Sequence, residues 1–157
     1  MPPGCPAGRR GSGMGRVEPL TESYAVAARD FAAAGEASSA IKRTLRKLGV
    51  DSQTVRQVAV AAYEVEMNLV IHSQGGDLQL MVSPDEITLV AQDSGPGIAD
   101  VDAAMREGFS TASDDVRTMG FGAGMGLPNM KRNADRFEIQ SELGVGTRIV
   151  MRFGLRG

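Results

Sequence analysis

The chain has 157 residues, with 17 Lys and Arg against 19 Asp and Glu and a single cysteine, Cys5. That length suits one domain able to bury roughly two thirds of its unfolded surface, with no room for a second catalytic domain. A formal net charge of -2 offers no basic excess to grip a phosphate backbone, which disfavours direct nucleic-acid binding. One cysteine makes no internal disulfide, and no apolar run approaches the roughly 20 residues that a membrane helix needs, so a cytoplasmic protein with no membrane partner is expected.

Residues 1–16, MPPGCPAGRRGSGMGR, are Pro, Gly and Arg with almost nothing apolar. Such a stretch cannot offset the entropy of its own ordering and is expected to be a disordered tail, an expression remnant or a mis-assigned start, with Met14 as an alternative first residue. The domain is then 17–157. Tyr24 to Arg29, YAVAAR, is short and apolar and suits a first strand. Ala37, Ile41, Leu45 and Leu48 recur at helical spacing between basic residues and end at Gly49, which predicts an amphipathic helix. A second helix should start near Asp51 or Ser52, both good N-caps, and run to the Gly75-Gly76 break. It is apolar on most sides, so it should lie deep against a sheet.

Asp77 to Ser83 and Glu86 to Gln92 read as a hairpin turning at Pro84-Asp85. A short helix is expected from Val101 to Glu107, a second from Leu127 to Asp135 after a Gly-rich stretch, and a closing hairpin from Phe137 to Glu142 and Thr147 to Phe153. Antiparallel strands with helices on one face make an α+β two-layer sandwich.

Four patterns carry chemistry. Glu64 and Asn68 stand four apart and leave the second helix on one face. On a buried helix they call for a ligand or ion; alternatively they form a solvated edge, with Glu66 a second exposed acid. DSGPGI, Asp93 to Ile98, follows a strand directly. An ionised Asp93 accepts hydrogen bonds only, which suits the exocyclic amine of adenine and rejects the carbonyl of guanine; an ordinary Asx-type turn is the plainer reading. Glycines at 120, 122, 124 and 126 make a loop whose bare amides can wrap an anion, or a simple linker. Pro128 fits the first turn of the helix that follows, where free amides and the helix dipole favour phosphate. GVGT, Gly144 to Thr147, says only turn.

Taken in order, ExxxN on a helix, DxGxG after a strand, a Gly-rich lid and GxGT in a hairpin resemble the nucleotide-binding boxes of the histidine-kinase-like (GHKL, Bergerat-fold) ATPase superfamily across residues 22–153. YAVAAR, EGFSTA, GAGMGLPNMKR and DRFEIQSELGVGT look more specifically like the anti-sigma regulatory serine/threonine kinases of the RsbT type. Sensor histidine kinases fit less well, because their phosphoacceptor helical hairpin is absent. The resemblance implies a two-layer Bergerat fold, mostly antiparallel sheet covered on one face by helices. It implies ATP and Mg²⁺ as cofactors, with Asn68 giving an oxygen to the metal and Glu64 acting as general base. Asp93 would read adenine, and Gly95 and Gly97 would line the base pocket. Gly122, Gly124 and Gly126 would close over the phosphates, with Leu127 also in the nucleotide site, and Thr147 would complete the adenine contact through water. His72, the one histidine, is expected to pack at a helix end rather than to carry a phosphoryl group.

One departure from the pattern is ASDDVRTM, between Ser110-Thr111 and Gly120, longer than the lid of an RsbT-type kinase. Arg117 within it could reach a terminal phosphate or pair with Asp114 or Asp115; the ion pair is the expectation. The resemblance implies a kinase that phosphorylates a STAS-domain anti-sigma antagonist or scaffold, in a system that also contains a sigma factor or phosphatase. The alternative is a nucleotide-gated anti-sigma or activator module without obligatory kinase activity. An ATPase machine of the topoisomerase or chaperone kind would need coupled domains that this chain does not supply. The helix faces and first strand are also compatible with a homodimer.

Overall fold

The structure, a computed structural model, describes residues 19–95, 105 and 126–155. Its elements are β1 (Leu20–Val26), α1 (Glu36–Lys47), α2 (Ser52–His72), β2 (Gly76–Val82), β3 (Glu86–Asp93), α3 (Gly126–Asn133), β4 (Arg136–Glu142) and β5 (Gly146–Gly154). The five strands form one antiparallel sheet in the order β1-β2-β3-β5-β4. With three helices over it, this is the α+β sandwich expected. The predicted helix from Val101 to Glu107 lies outside the described residues apart from Met105. None of the described helices is long and apolar enough to cross a membrane.

Pleating sorts the sheet residues. Leu78, Leu80 and Val82 on β2 pair with Ala91, Leu89 and Ile87 on β3, which in turn pair with Ile149, Met151 and Phe153 on β5. All nine are nearly or wholly buried, and with the apolar sides of the helices they make the core. Asp93 continues the Ile87, Leu89, Ala91 series, so the same alternation sends its carboxyl to the helix side. Thr147 shares that side through the β5 series.

Helix α2 is the spine. Asp51 caps it as expected, its two oxygens accepting from the Thr54 N–H and hydroxyl at 3.0 and 2.7 Å. Val55, Val58, Ala61, Ala62, Val65, Leu69 and Val70 are buried along it, because α1 packs on one flank, α3 on another and the sheet beneath. Helix α1 ends at Lys47, followed by Gly49 at φ 81°, a left-handed stop that glycine adopts without strain.

Two sequence expectations change. The first strand is Leu20–Val26, not Tyr24 to Arg29. Its helix-side residues include Glu22, whose carboxylate is bonded by the hydroxyls of Tyr24 and Thr44. The strand stops before Arg29 because the chain turns there at φ 64°, and the Arg29 N–H donates to the Val70 carbonyl of α2 at 2.8 Å. Burial and the Glu22 carboxylate push the Tyr24 phenol up to about 12.

Glu66 is the second change. It is 2 % exposed, not a solvated acid. One carboxyl oxygen accepts the N–H groups of Gly35 at 3.0 Å and Ala37 at 3.2 Å, and the other accepts that of Ser38 at 2.9 Å. The first amides of a helix have no partners within it, and α1 has Gly35 as N-cap, with no side chain to serve them. The carboxylate of α2 takes that place across 28 residues of sequence or more.

Candidate functional site

The site grows from three chain segments that meet at one end of the sandwich. Glu64 and Asn68 are only partly buried, although α2 is otherwise nearly covered. Their face looks at the start of α3. A Cβ built on Gly126 would stand 3.6 Å from Glu64 Oε1 and 3.8 Å from Asn68 Oδ1, so both oxygens converge on one corner beside a residue that leaves it open. The other Glu64 oxygen, Oε2, accepts from the side-chain amide of Asn129 on α3 at 2.9 Å. Leu127 is buried behind this corner.

The second segment is the end of β3. Asp93 Oδ1 accepts the Thr147 N–H at 2.9 Å. Burial raises the Asp93 pKa above the usual carboxylate value, and the Thr147 bond partly opposes that rise. Gly146 makes the approach feasible: its φ is 151°, and a Cβ there would collide with the Asp93 backbone oxygen. Gly146→Ala should therefore lower stability by about 3 kcal/mol, read as the urea midpoint, through strain and overlap together. An unchanged midpoint would mean that β3 and β5 can part at this point. The Thr147 hydroxyl shares a 2.8 Å hydrogen bond with the hydroxyl of Ser141 on β4.

The third segment is the turn after α2. The Ser94 carbonyl accepts from Gln74 N–H at 2.8 Å, the Ser94 N–H donates to the Gly75 carbonyl at 3.2 Å, and the Gly95 N–H donates to the Val145 carbonyl at 3.3 Å. A Cβ on Gly95 would come within 3.3 Å of Ser73, the C-cap of α2. The end of β3 thus docks at the C-terminus of α2. Counting back along that helix at 1.5 Å per residue, Asn68 is about 7–8 Å from Ser73 and Glu64 about 13–14 Å. Asn68 and Glu64 thus follow one another along α2 from the end at which β3 docks.

Of the residues singled out from sequence, Glu64, Asn68, Gly126 and Leu127 meet at the α2–α3 corner. Asp93, Gly95 and Thr147 meet at the end of β3. Gly97, Gly122, Gly124, Arg117 and the inserted ASDDVRTM lie outside the described residues. His72 is the last residue of α2, where burial and nearby Arg29 hold its pKa below the ordinary value. Sequence reasoning missed Asn129 and Ser141. Both lie within stretches that carry the resemblance, but neither was given a role there, and only the packing of α3 on α2 and the β4–β5 register brings them to the site.

Three relatives and one family profile bear on this geometry. The serine/threonine-protein kinase RsbT of Bacillus subtilis is 29% identical over 137 residues, covering 85% of this chain and 90% of that protein, so the likeness extends across a whole domain. The anti-sigma F factor of Clostridium novyi is 28% identical over 123 residues, covering 74% and 82%, and that of Clostridium acetobutylicum 29% over 105 residues, covering 64% and 70%. The profile of the histidine kinase-like ATPase domain matches residues 27–153, a span that encloses every site residue named above. This chain belongs to the histidine kinase-like ATPase domain family.

Proposed function

We propose that the protein is an ATP-dependent serine/threonine protein kinase of a bacterial sigma-factor switch, acting on a hydroxyl of a STAS-domain anti-sigma antagonist or scaffold in the cytoplasm. The observation that carries this reading is the pairing of Glu64 with Asn68 at the α2–α3 corner, on the helix whose C-terminal end meets β3 beside a half-buried Asp93. A kinase and anti-sigma factors among the relatives support it.

The residues fit Mg-ATP. Asp93 commits Oδ1 to Thr147, which leaves Oδ2 to accept from the adenine amine. Gly95 would line the base side, as the resemblance assigns also to Gly97 outside the described residues, and the Thr147 hydroxyl, bonded to Ser141, would hold a bridging water. Asn68 would offer Oδ1 to Mg²⁺, a hard cation that prefers oxygen ligands. A metal held there would supply charge neutralisation at the phosphates. Gly126 and Leu127 open α3, where backbone amides favour anions, and the resemblance assigns Gly122 and Gly124, outside the described residues, to the same phosphate end. Glu64 orients the acceptor hydroxyl and takes its proton as the hydroxyl oxygen bonds to the terminal phosphorus; ADP departs.

The base end gives a test independent of any partner. Asp93→Asn keeps an oxygen for the Thr147 N–H but turns the acceptor facing adenine into a donor. ATP affinity, measured by calorimetric titration with Mg²⁺, should fall roughly 10- to 100-fold. The sign of the pH effect is opposite for folding and for binding. Because the folded-state pKa of Asp93 is raised, its contribution to stability is greatest below the unfolded value and is lost as pH rises. ATP binding needs the ionised form and weakens as pH falls through that raised pKa. Asp93→Asn should thus lose this pH dependence and match or exceed the wild-type melting temperature. Equal ATP affinity in wild type and variant would remove Asp93 as the adenine reader.

The partner assignment is tested by incubating the protein with Mg-ATP labelled at the γ-phosphate and a STAS-domain protein. Acid-stable label on serine or threonine is expected. Binding and control of the partner with no label would favour the nucleotide-gated module instead.

A further inference from the structure

We infer that Asn129 is the positioning residue for the general base, an inference that rests on the kinase reading of Glu64. Asn129 donates its side-chain amide to Glu64 Oε2 at 2.9 Å, while its own Oδ1 accepts from Arg132 Nη1 at 2.9 Å and its backbone carbonyl accepts from the Asn133 amide at 2.8 Å. Both ends of the Asn129 side chain are therefore fixed, and neither can turn without losing a bond.

The consequence lies in which Glu64 oxygen is left for chemistry. With Oε2 held, the carboxyl plane is set and Oε1 points into the corner shared with Asn68 Oδ1, 3.6 and 3.8 Å respectively from the Cβ position of Gly126. A long acid on a helix has several rotamers, and each wrong one removes the base from reach of the hydroxyl. An amide suits this role because it can donate to a carboxylate and accept from a guanidinium at once. An aspartate could not donate. A guanidinium placed directly on Glu64 would set a full cation against the base, whereas the intervening amide carries the Arg132 tether without that charge. The bond also ties α2 to the first turns of α3, so the base is aligned only when α3 is seated.

The test uses the full chain, with release of phosphate from Mg-ATP to water and transfer to a STAS-domain protein as two readings of the same base. Asn129→Leu, similar in size and without a donor, should lower kcat ten- to hundredfold with KM for ATP unchanged. Arg132→Gln, at an exposed position, should lower kcat less and in the same direction. In a Glu64→Gln background, Asn129→Leu should cause no further fall, because a residue that acts only through the base has nothing left to position. In the protein without nucleotide, the Asn129 side-chain amide resonance should move on Glu64→Gln. Loss of kcat that adds fully to that of Glu64→Gln, or a kcat within twofold of wild type, overturns the inference while leaving the kinase reading intact. A wild type with no transfer, or an active Glu64→Gln, defeats that reading and the inference with it.

Discussion

Glu64→Gln is expected to lower phosphoryl transfer by roughly 10²–10⁴-fold, the usual yield of a positioned general base. Glutamine is nearly isosteric, so Oε1 still meets the corner at Gly126, and its carbonyl can still accept from Asn129 if the amide is oriented to suit. What it cannot do is take a proton. ATP affinity should therefore stay within about twofold, since on the proposed reading the group acts on the acceptor rather than on the nucleotide. The measurement is single-turnover transfer from labelled Mg-ATP beside a calorimetric titration of the same variant. A fall in affinity that accounts for the whole loss of rate would move Glu64 from proton acceptor to nucleotide ligand.

The second large effect concerns stability. Glu66→Ala strips the partner from the Gly35, Ala37 and Ser38 amides at a place where Ala37 and Ser38 are themselves buried. Each buried N–H without a partner costs about 1–3 kcal/mol, moderated if water enters the space vacated, so a total near 3–5 kcal/mol is expected. For a chain of this size that is a fall in Tm of roughly 6–20 °C. Glu66→Gln, which retains one acceptor oxygen, should fall between alanine and wild type. Unfolding by heat and urea, followed by circular dichroism, reads both. If Glu66→Ala costs under 1 kcal/mol, α1 is held by Ala37, Ile41 and Leu45 packing alone and the carboxylate is incidental.

The contrast between Glu64 and Glu66 marks what a sequence discloses. Helix α2 was legible because its signals are local: Asp51 caps it, its apolar positions recur, and glycines follow it. The β2–β3 and β4–β5 hairpins were legible for the same reason, through turn residues between alternating runs. Glu64 and Asn68 could be paired from their spacing alone. Glu66 could not be placed, since its partners lie 28 to 31 residues back and are backbone amides, which have no sequence identity to recognise. Asn129 was hidden likewise by 65 residues of separation from Glu64. The start of β1 was misjudged because Glu22 satisfies its charge with the hydroxyls of Tyr24 and Thr44, a tertiary arrangement that makes a strand from a polar stretch.

The way α2 is pinned gives it the character of a ruler. Between Glu64 and Asn68 stands Glu66, fastened to α1, and at the far end Ser73 abuts Gly95. The helix can neither rotate nor slide to shorten the interval from Asp93 to Glu64 without breaking three hydrogen bonds together, two of them buried. On the proposed reading, length itself then becomes a criterion of selection: a nucleotide whose base is seated on Asp93 would have to extend the full interval before its far end met Glu64, and one with fewer phosphates would stop short.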